Sequence, residues 1–357
     1  MSFRRDFIRH GVLLGRALAP YLTAAKLRNF LQCEAEALRR DPEPRSFPYI
    51  AILEVAGICN LRCRYCPTGV GRDSGRKQRL ISPFLIQKLL AELGRYLVSV
   101  NLYNWGEPLL HPQLPEIVRL LHQNRIFTSV STNLNISRRD SLADLCDAGL
   151  DHLLISVSGA SQEVYERYHR WGTYGLVLDN LKFLTDYKRR HRLQRPLIEV
   201  KYLVFTFNRH EVQAAARLAH TLGVDLFLTV AGGGAREAKV SAPGEESWRT
   251  PFASTWPCHH LWDTLVLRAD GGVAPCCYTF FKADDFGDFS KASQEDIRFH
   301  DRFIRARSLF NPRRLSELPP DLEHPCLKCH LVHEQRHLRP YLRGNPHAVR
   351  GYLDGGP

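Results

Sequence analysis

The sequence predicts an α/β protein: a partial (β/α)6 TIM-like barrel followed by a small C-terminal cysteine-rich domain of β-hairpin and helix. Three observations carry this. Six short β-rich runs alternate with segments whose apolar residues recur at helical spacing. Most of those runs are continuously apolar, as strands covered on both faces are. The alternation then stops after AGGGA (231–235), and cysteines, prolines and aromatics become more frequent.

Residues 1–48 form a basic N-terminal helical extension and a polar, proline-bearing linker, DPEPRSFP. The opening MSFRRDFIRHGVLLGRALAPYLTAA sets Arg4-Arg5 before an apolar stretch, the arrangement of a twin-arginine export signal. Arg16 interrupts that stretch and Pro20 follows it, so a basic helix is expected instead. Strands are expected at 49–55, 99–104, 127–132, 152–158, 198–205 and 225–231, with helices at 83–97, 114–124, 141–149, 177–191 and 211–223. Strand–helix repeats imply a parallel sheet with right-handed crossovers. Six repeats are too few for an eightfold barrel, so residues 49–235 are expected to form an open one. Residues 236–335 make the second domain and 336–357 a tail.

Composition narrows the function. The 357 residues are 44% hydrophobic and 24% charged, the profile of an ordinary globular chain. No apolar run approaches the roughly 20 residues of a membrane span. The net charge of +12 is spread along the chain, and the KQR and YKRRHR segments read as a solvated loop and a helix end. Nucleic acid is therefore not the expected partner. A cytoplasmic location is expected, where ten cysteines serve metals or catalysis rather than disulfides. Cys146, in the apolar pattern LADLCDAGL, is expected to pack in a helix.

In open parallel sheets the chemistry gathers at the carboxyl ends of the strands. Polar clusters fall there: Cys59-x3-Cys63-x2-Cys66 after strand one, Gly106-Glu107-Pro108 after strand two, Ser131-Thr132-Asn133 at strand three and Ser156-Val157-Ser158-Gly159 at strand four. Three thiolates are one short of a structural zinc site or a fully protein-ligated cluster. They suffice for a [4Fe–4S] cluster with one iron open to another ligand; a zinc site borrowing a distant fourth ligand is the alternative. The CxxxCxxC loop, Tyr65 before its third cysteine, and the GEP segment resemble the radical S-adenosylmethionine (SAM) superfamily.

That resemblance implies a [4Fe–4S] cluster on Cys59, Cys63 and Cys66, with SAM chelating the open iron. One-electron cleavage of SAM then gives a 5′-deoxyadenosyl radical that abstracts a substrate hydrogen atom. It further implies that Gly106 and Glu107 meet the SAM amino group, that Ser156 and Ser158 contact SAM, and that Arg170, in YHRWG, pairs with its carboxylate. Many members have SLDG at strand four, so Ser158 stands in place of an aspartate. The alternatives are a structural cap for Glu107, loop hydrogen bonding for Ser158 and a surface charge for Arg170.

In the second domain, Cys258-x17-Cys276 is followed by Cys326-x2-Cys329, a set that fits zinc or a fully ligated cluster. CHHLW, RADGGVAPCC, FGDF, an arginine-ended helix and PCLKC resemble, in that order, the SPASM/twitch extension of radical SAM enzymes. The resemblance implies one auxiliary [4Fe–4S] cluster on Cys258, Cys276, Cys326 and Cys329. Cys277 is left over, either a packed small hydrophobe or, with neighbouring Tyr278, a hydrogen-atom donor to a substrate radical. His259, His260, His330 and His333 flank these cysteines in surface or supporting roles.

The expected function is a radical SAM enzyme that oxidises, epimerises or rearranges a small metabolite (a sugar, aminoglycoside-like or nucleotide-linked compound) at a C–H bond. Electrons would come from an external flavodoxin- or ferredoxin-like reductant. The alternatives are a peptide maturase with a separate recognition partner and, in another class, an RNA-modifying or RNA-binding protein with a zinc-bound C-terminal module.

Overall fold

The computed structural model describes residues 3–231, 258–329, 332–333 and 335–348. His330 and the glycines of 232–234 lie outside the described residues. Six parallel strands follow the expected runs: β1 (Ile50–Leu53), β2 (Ser99–Asn101), β3 (Phe127–Thr132), β4 (His152–Val157), β5 (Leu197–Val204) and β6 (Leu226–Ala231). Each pairs in parallel with the next in sequence order. Among the described residues the sheet is not closed, so this is a partial barrel.

The sheet continues past the end of the strand–helix alternation. Strand β7 (Thr264–Leu267) adds to the free side of β1 in parallel, Ile50 opposite Thr264 and Leu53 opposite Leu267. Strands β8 (Gly272–Ala274) and β9 (Gly287–Asp288) then extend it antiparallel. The cysteine-rich segment is thus joined to the barrel through the backbone of its first strand.

The helices cover the strands for legible reasons. The helix Pro83–Leu93 starts where the Ser82 hydroxyl accepts the Leu85 N–H, with proline in its first turn. It buries Leu85, Ile86, Leu89 and Leu93 on one stripe. Helix Asp140–Asp147 buries Cys146 in the main apolar core, as its pattern predicts.

The N-terminal extension is two helices, Phe3–Leu18 and Ala24–Arg39, broken at a 3₁₀ turn containing Pro20. Ala17 and Tyr21 pack against Phe127, the first residue of β3, with Leu197, the first of β5, beside them. They therefore lie at the amino ends of the strands, opposite the rim that carries the cysteines. There Tyr21 Oη donates to Asp151, which pairs with the Arg195 guanidinium and accepts the Thr128 N–H at 2.9 Å. Arg195 also donates to the Ala17 carbonyl at 2.9 Å, tying the extension to the barrel floor. Asp151 is fully buried, so removing its charge strands the arginine and the tyrosine. Asp151→Asn should lower stability by about 3 kcal/mol, read as a fall in the thermal midpoint by circular dichroism.

Candidate active site

The three cysteines of the first set hang on a loop between β1 and the helix Pro83–Leu93. Its stem is closed by the Gly57 N–H donating to the Arg79 carbonyl at 2.7 Å and by the Ala56–Leu80 bridge. Gly69 crosses the loop against Cys63: a β-carbon there would stand 2.5 Å from the Cys63 carbonyl oxygen and 2.6 Å from its nitrogen. Gly106 is held as tightly, since its β-carbon would stand 1.8 Å from the Ala56 carbonyl oxygen. Only glycine lets the GEP segment lie against the cysteine loop at this distance, and the Glu107 N–H donates to Ile58 O at 2.7 Å.

None of the ten cysteines forms a disulfide. Burial pushes the Cys59 thiol up to about 11 and Cys63 higher still, with the neighbouring thiols of the loop adding repulsion in both cases. Such groups ionise only with a cation beside them. The Leu61 N–H and the Asn133 amide aim at Cys59 Sγ from 3.4 and 3.7 Å.

Glu107 is buried, 2% exposed, and burial raises its carboxyl to about 7. Oε1 accepts from Leu109 N at 3.0 Å and Thr132 Oγ1 at 2.7 Å; Oε2 accepts from Asn133 N at 2.8 Å. The residue does cap the 3₁₀ turn Pro108–Leu110. A carboxylate has about four acceptor positions, so one on Oε2 remains.

Ser156 is half-buried at the end of β4, whereas Ser158 is fully buried, its hydroxyl 3.0 Å from His169 Nε2. Arg170 is exposed, and its carbonyl accepts the Arg62 N–H at 3.0 Å. The inward-turned residue of YHRWG is His169, which the sequence analysis did not single out. Burial lowers its imidazole to about 3, so it is neutral. Arg76 was also missed. Its buried guanidinium joins the far arm of the cysteine loop to the β7–β8 turn through Asp270 (2.7 Å) and to the segment before β9 through Asp285 (2.6 and 2.8 Å).

Cys258, Cys276, Cys326 and Cys329 converge across the barrel edge: burial raises the first three thiols, and each also feels the charge of others in the quartet. Cys277 turns away. It packs against Ile52, Val266 and Ala274, with Sγ 4.0 Å from His260 Nε2 and Tyr278 exposed beside it.

The spacing of the thiols suits a cluster better than a single ion. Tetrahedral zinc, with its Zn–S bonds, brings sulfurs to about 3.8 Å of one another. Among the described residues the one trio of metal-binding side chains whose ligand atoms all lie within 4.8 Å is Glu34, His259 and Asp263, which has no cysteine. Both cysteine sets are more open than that, as suits thiolates that each bind a separate iron of a cubane. Thiol sets of this kind fit an iron–sulfur protein.

The comparisons with known proteins agree. Residues 53–219 match the model of the radical SAM superfamily, and residues 258–330 that of the SPASM iron–sulfur cluster-binding domain. The chain belongs to the radical SAM superfamily and carries a SPASM domain behind its barrel. It therefore uses a [4Fe–4S] cluster and SAM, with auxiliary iron–sulfur binding in the SPASM domain. The PqqA peptide cyclase of Bradyrhizobium diazoefficiens is 30% identical over 132 residues, 37% of this chain and 34% of that protein. The GTP 3′,8-cyclase of Chlorobaculum tepidum is 31% identical over 141 residues, 38% of this chain and 42% of that protein. The matches thus span well under half of either relative. SuiB of Streptococcus suis shares the fold, with a TM-score of 0.62 at 11% identity over 92% of this chain and 81% of that one. SuiB has also been solved bound to the precursor peptide SuiA. Among the described residues no helix is long and apolar enough to cross a membrane.

Proposed function

We propose that this radical SAM enzyme modifies a peptide at a C–H bond, by oxidation, cross-linking or epimerisation. The observation that carries the reading is the rim of the cysteine loop. Ile58, Val70, Trp171 and Phe281 are large apolar side chains left exposed around it. Ile58 and Val70 belong to the loop itself, Trp171 lies under the Arg62 guanidinium at 4.8 Å, and Phe281 adjoins Lys282, whose N–H meets Ser74 O at 2.9 Å. Such a patch suits the side chains of an extended apolar substrate. The names of the PqqA peptide cyclase and of the SuiB–SuiA complex support the same class.

When bound, the cluster and SAM supply hydrogen-atom abstraction. The protein's part is to orient and to exclude water. Cys59, Cys63 and Cys66 hold the cluster; Cys258, Cys276, Cys326 and Cys329 hold an auxiliary one. The Gly106 carbonyl and the remaining Oε2 position of Glu107 would accept from the amino group of SAM, and Ser156 and Arg170 are the further residues assigned to it. Cys277, packed against the β1–β7 seam, would be the residue to return a hydrogen atom if the reaction is redox-neutral.

Glu107 gives this a pH signature. Protonation removes the negative charge and takes up acceptor capacity that would hold the SAM amino group, and burial raises the carboxyl to about 7. SAM affinity should fall as pH drops below 7, approaching about tenfold per unit, and Glu107→Gln should flatten the profile. Isothermal titration at pH 6, 7 and 8 checks this.

A second reading, a phosphorylated small metabolite, is favoured by Arg62 and Arg64 standing exposed in the loop and by the GTP 3′,8-cyclase relative. Anaerobic incubation with SAM, dithionite and either short peptides encoded beside the gene or a panel of nucleotides and sugar phosphates separates the two. A peptide mass change matched by 5′-deoxyadenosine supports the first; consumption of a metabolite alone removes it.

A further inference from the structure

Residues Tyr168–Arg170 run as a strap along the cysteine loop. The Arg62 N–H donates to Arg170 O at 3.0 Å and the Arg64 N–H to Tyr168 O at 3.2 Å. Between these two bonds His169 points inward, 2% exposed, stacked on Tyr165 at 4.6 Å and met edge-on by Tyr168 at 4.8 Å. Nδ1 lies 3.6 Å from Cys63 Sγ, and Nε2 lies 3.0 Å from Ser158 Oγ. Both ring nitrogens are therefore committed, and the ring is clamped from four sides.

The donor chemistry assigns the proton. A thiolate bound to iron can only accept a hydrogen bond, so Nδ1 must carry the hydrogen that faces Cys63. Ser158 then satisfies Nε2 from the other end. Reduction of a cluster places more negative charge on its sulfurs, and a hydrogen bond to a sulfur stabilises that state.

We propose that His169 is a positioning residue of the SAM-binding cluster: it donates from Nδ1 to the Cys63 sulfur and raises the cluster's reduction potential, with Ser158 fixing the ring. This rests on the radical SAM assignment of the loop. It also gives the serine that replaces the usual aspartate of strand four a task, since an aspartate there would put a negative charge against the imidazole.

The test uses anaerobically reconstituted full-length protein. Iron per chain is measured, together with the midpoint potential of the electron paramagnetic resonance signal that SAM perturbs. His169→Phe keeps the ring on Tyr165 and removes the donor; it should shift the midpoint to a more negative value at unchanged iron content. His169→Asn sets an amide N–H near the Nδ1 position and should restore most of the shift. Ser158→Ala should move the midpoint in the same direction as phenylalanine, by less. An unshifted midpoint in His169→Phe, or an asparagine variant displaced as far as phenylalanine, overturns the assignment. Should His169→Phe fail to load iron, Ser158→Ala and His169→Asn decide: no shift in the first, or a large negative shift in the second, overturns it. These results leave the superfamily assignment standing wherever 5′-deoxyadenosine still forms. Wild-type protein that binds no iron overturns both.

Discussion

Alanine at Cys63 is expected to abolish 5′-deoxyadenosine formation while the barrel stays folded. The two halves of that expectation have separate causes. The loop is shaped by backbone bonds that do not involve the thiol: Gly57 to Arg79 at 2.7 Å, Glu107 to Ile58 at 2.7 Å, and Val70 to Cys66 O at 2.9 Å. Losing one partly buried sulfur leaves a small cavity worth about 1 kcal/mol, too little to unfold a core of this size. Loss of function follows from coordination. With Cys59 and Cys66 alone two irons have protein ligands, and the cubane loses its grip on the loop. Chromatography of dithionite-treated samples, with iron analysis and thermal melts alongside, reads all three quantities. Cys146→Ala is the control, since Cys146 packs inside the core and its replacement should alter the melt but not the iron. A Cys63→Ala protein that still released the nucleoside would overturn the role given to the loop.

The cysteine motif and the barrel were legible for related physical reasons. A strand covered on both faces needs an unbroken apolar run, so all six expected strands match within a few residues. The second is shorter than expected, ending at Asn101. Beyond it the chain bends to bring Gly106 against Ala56, a contact no local pattern encodes. Contacts made at long range were hidden. TLVL reads as one more apolar strand, and nothing in it says that it joins β1 about two hundred residues earlier. The amphipathic N-terminal helices announce an apolar face but not its partner, the barrel floor around Tyr21 and Asp151. His169 sat inside a motif singled out for Arg170. The signal that could have found it was chemical, because imidazole next to a tyrosine-rich stretch suits a buried place better than a guanidinium does. Arg76 lay in the basic run GRKQR, which reads as solvent-facing until two aspartates from the distant hairpin are brought to it.

Alanine at Cys329 is expected to separate SAM cleavage from product formation. The thiol quartet lies beside β7, which completes the barrel edge, so the first question is whether its loss would open that edge. Three contacts independent of the quartet argue that it would not. Arg268 is fully buried and pairs with Glu54 at 3.1 Å while holding the Thr279 carbonyl. Arg76 grips Asp270 and Asp285 from the cysteine loop. β7 itself keeps its parallel ladder to β1. Breaking any of those buried pairs would cost about 3–5 kcal/mol, so they hold the hairpin in register without the fourth thiolate. The cysteine loop after β1 then keeps its geometry. Iron should fall from about eight to about four atoms per chain if both clusters are cubanes, 5′-deoxyadenosine should persist, and modified substrate should disappear. If product formed unchanged, the quartet would be a structural staple rather than part of the chemistry. If nucleoside release vanished as well, the two centres would not be separable, and the independence of the Arg268 and Arg76 clamps would be refuted.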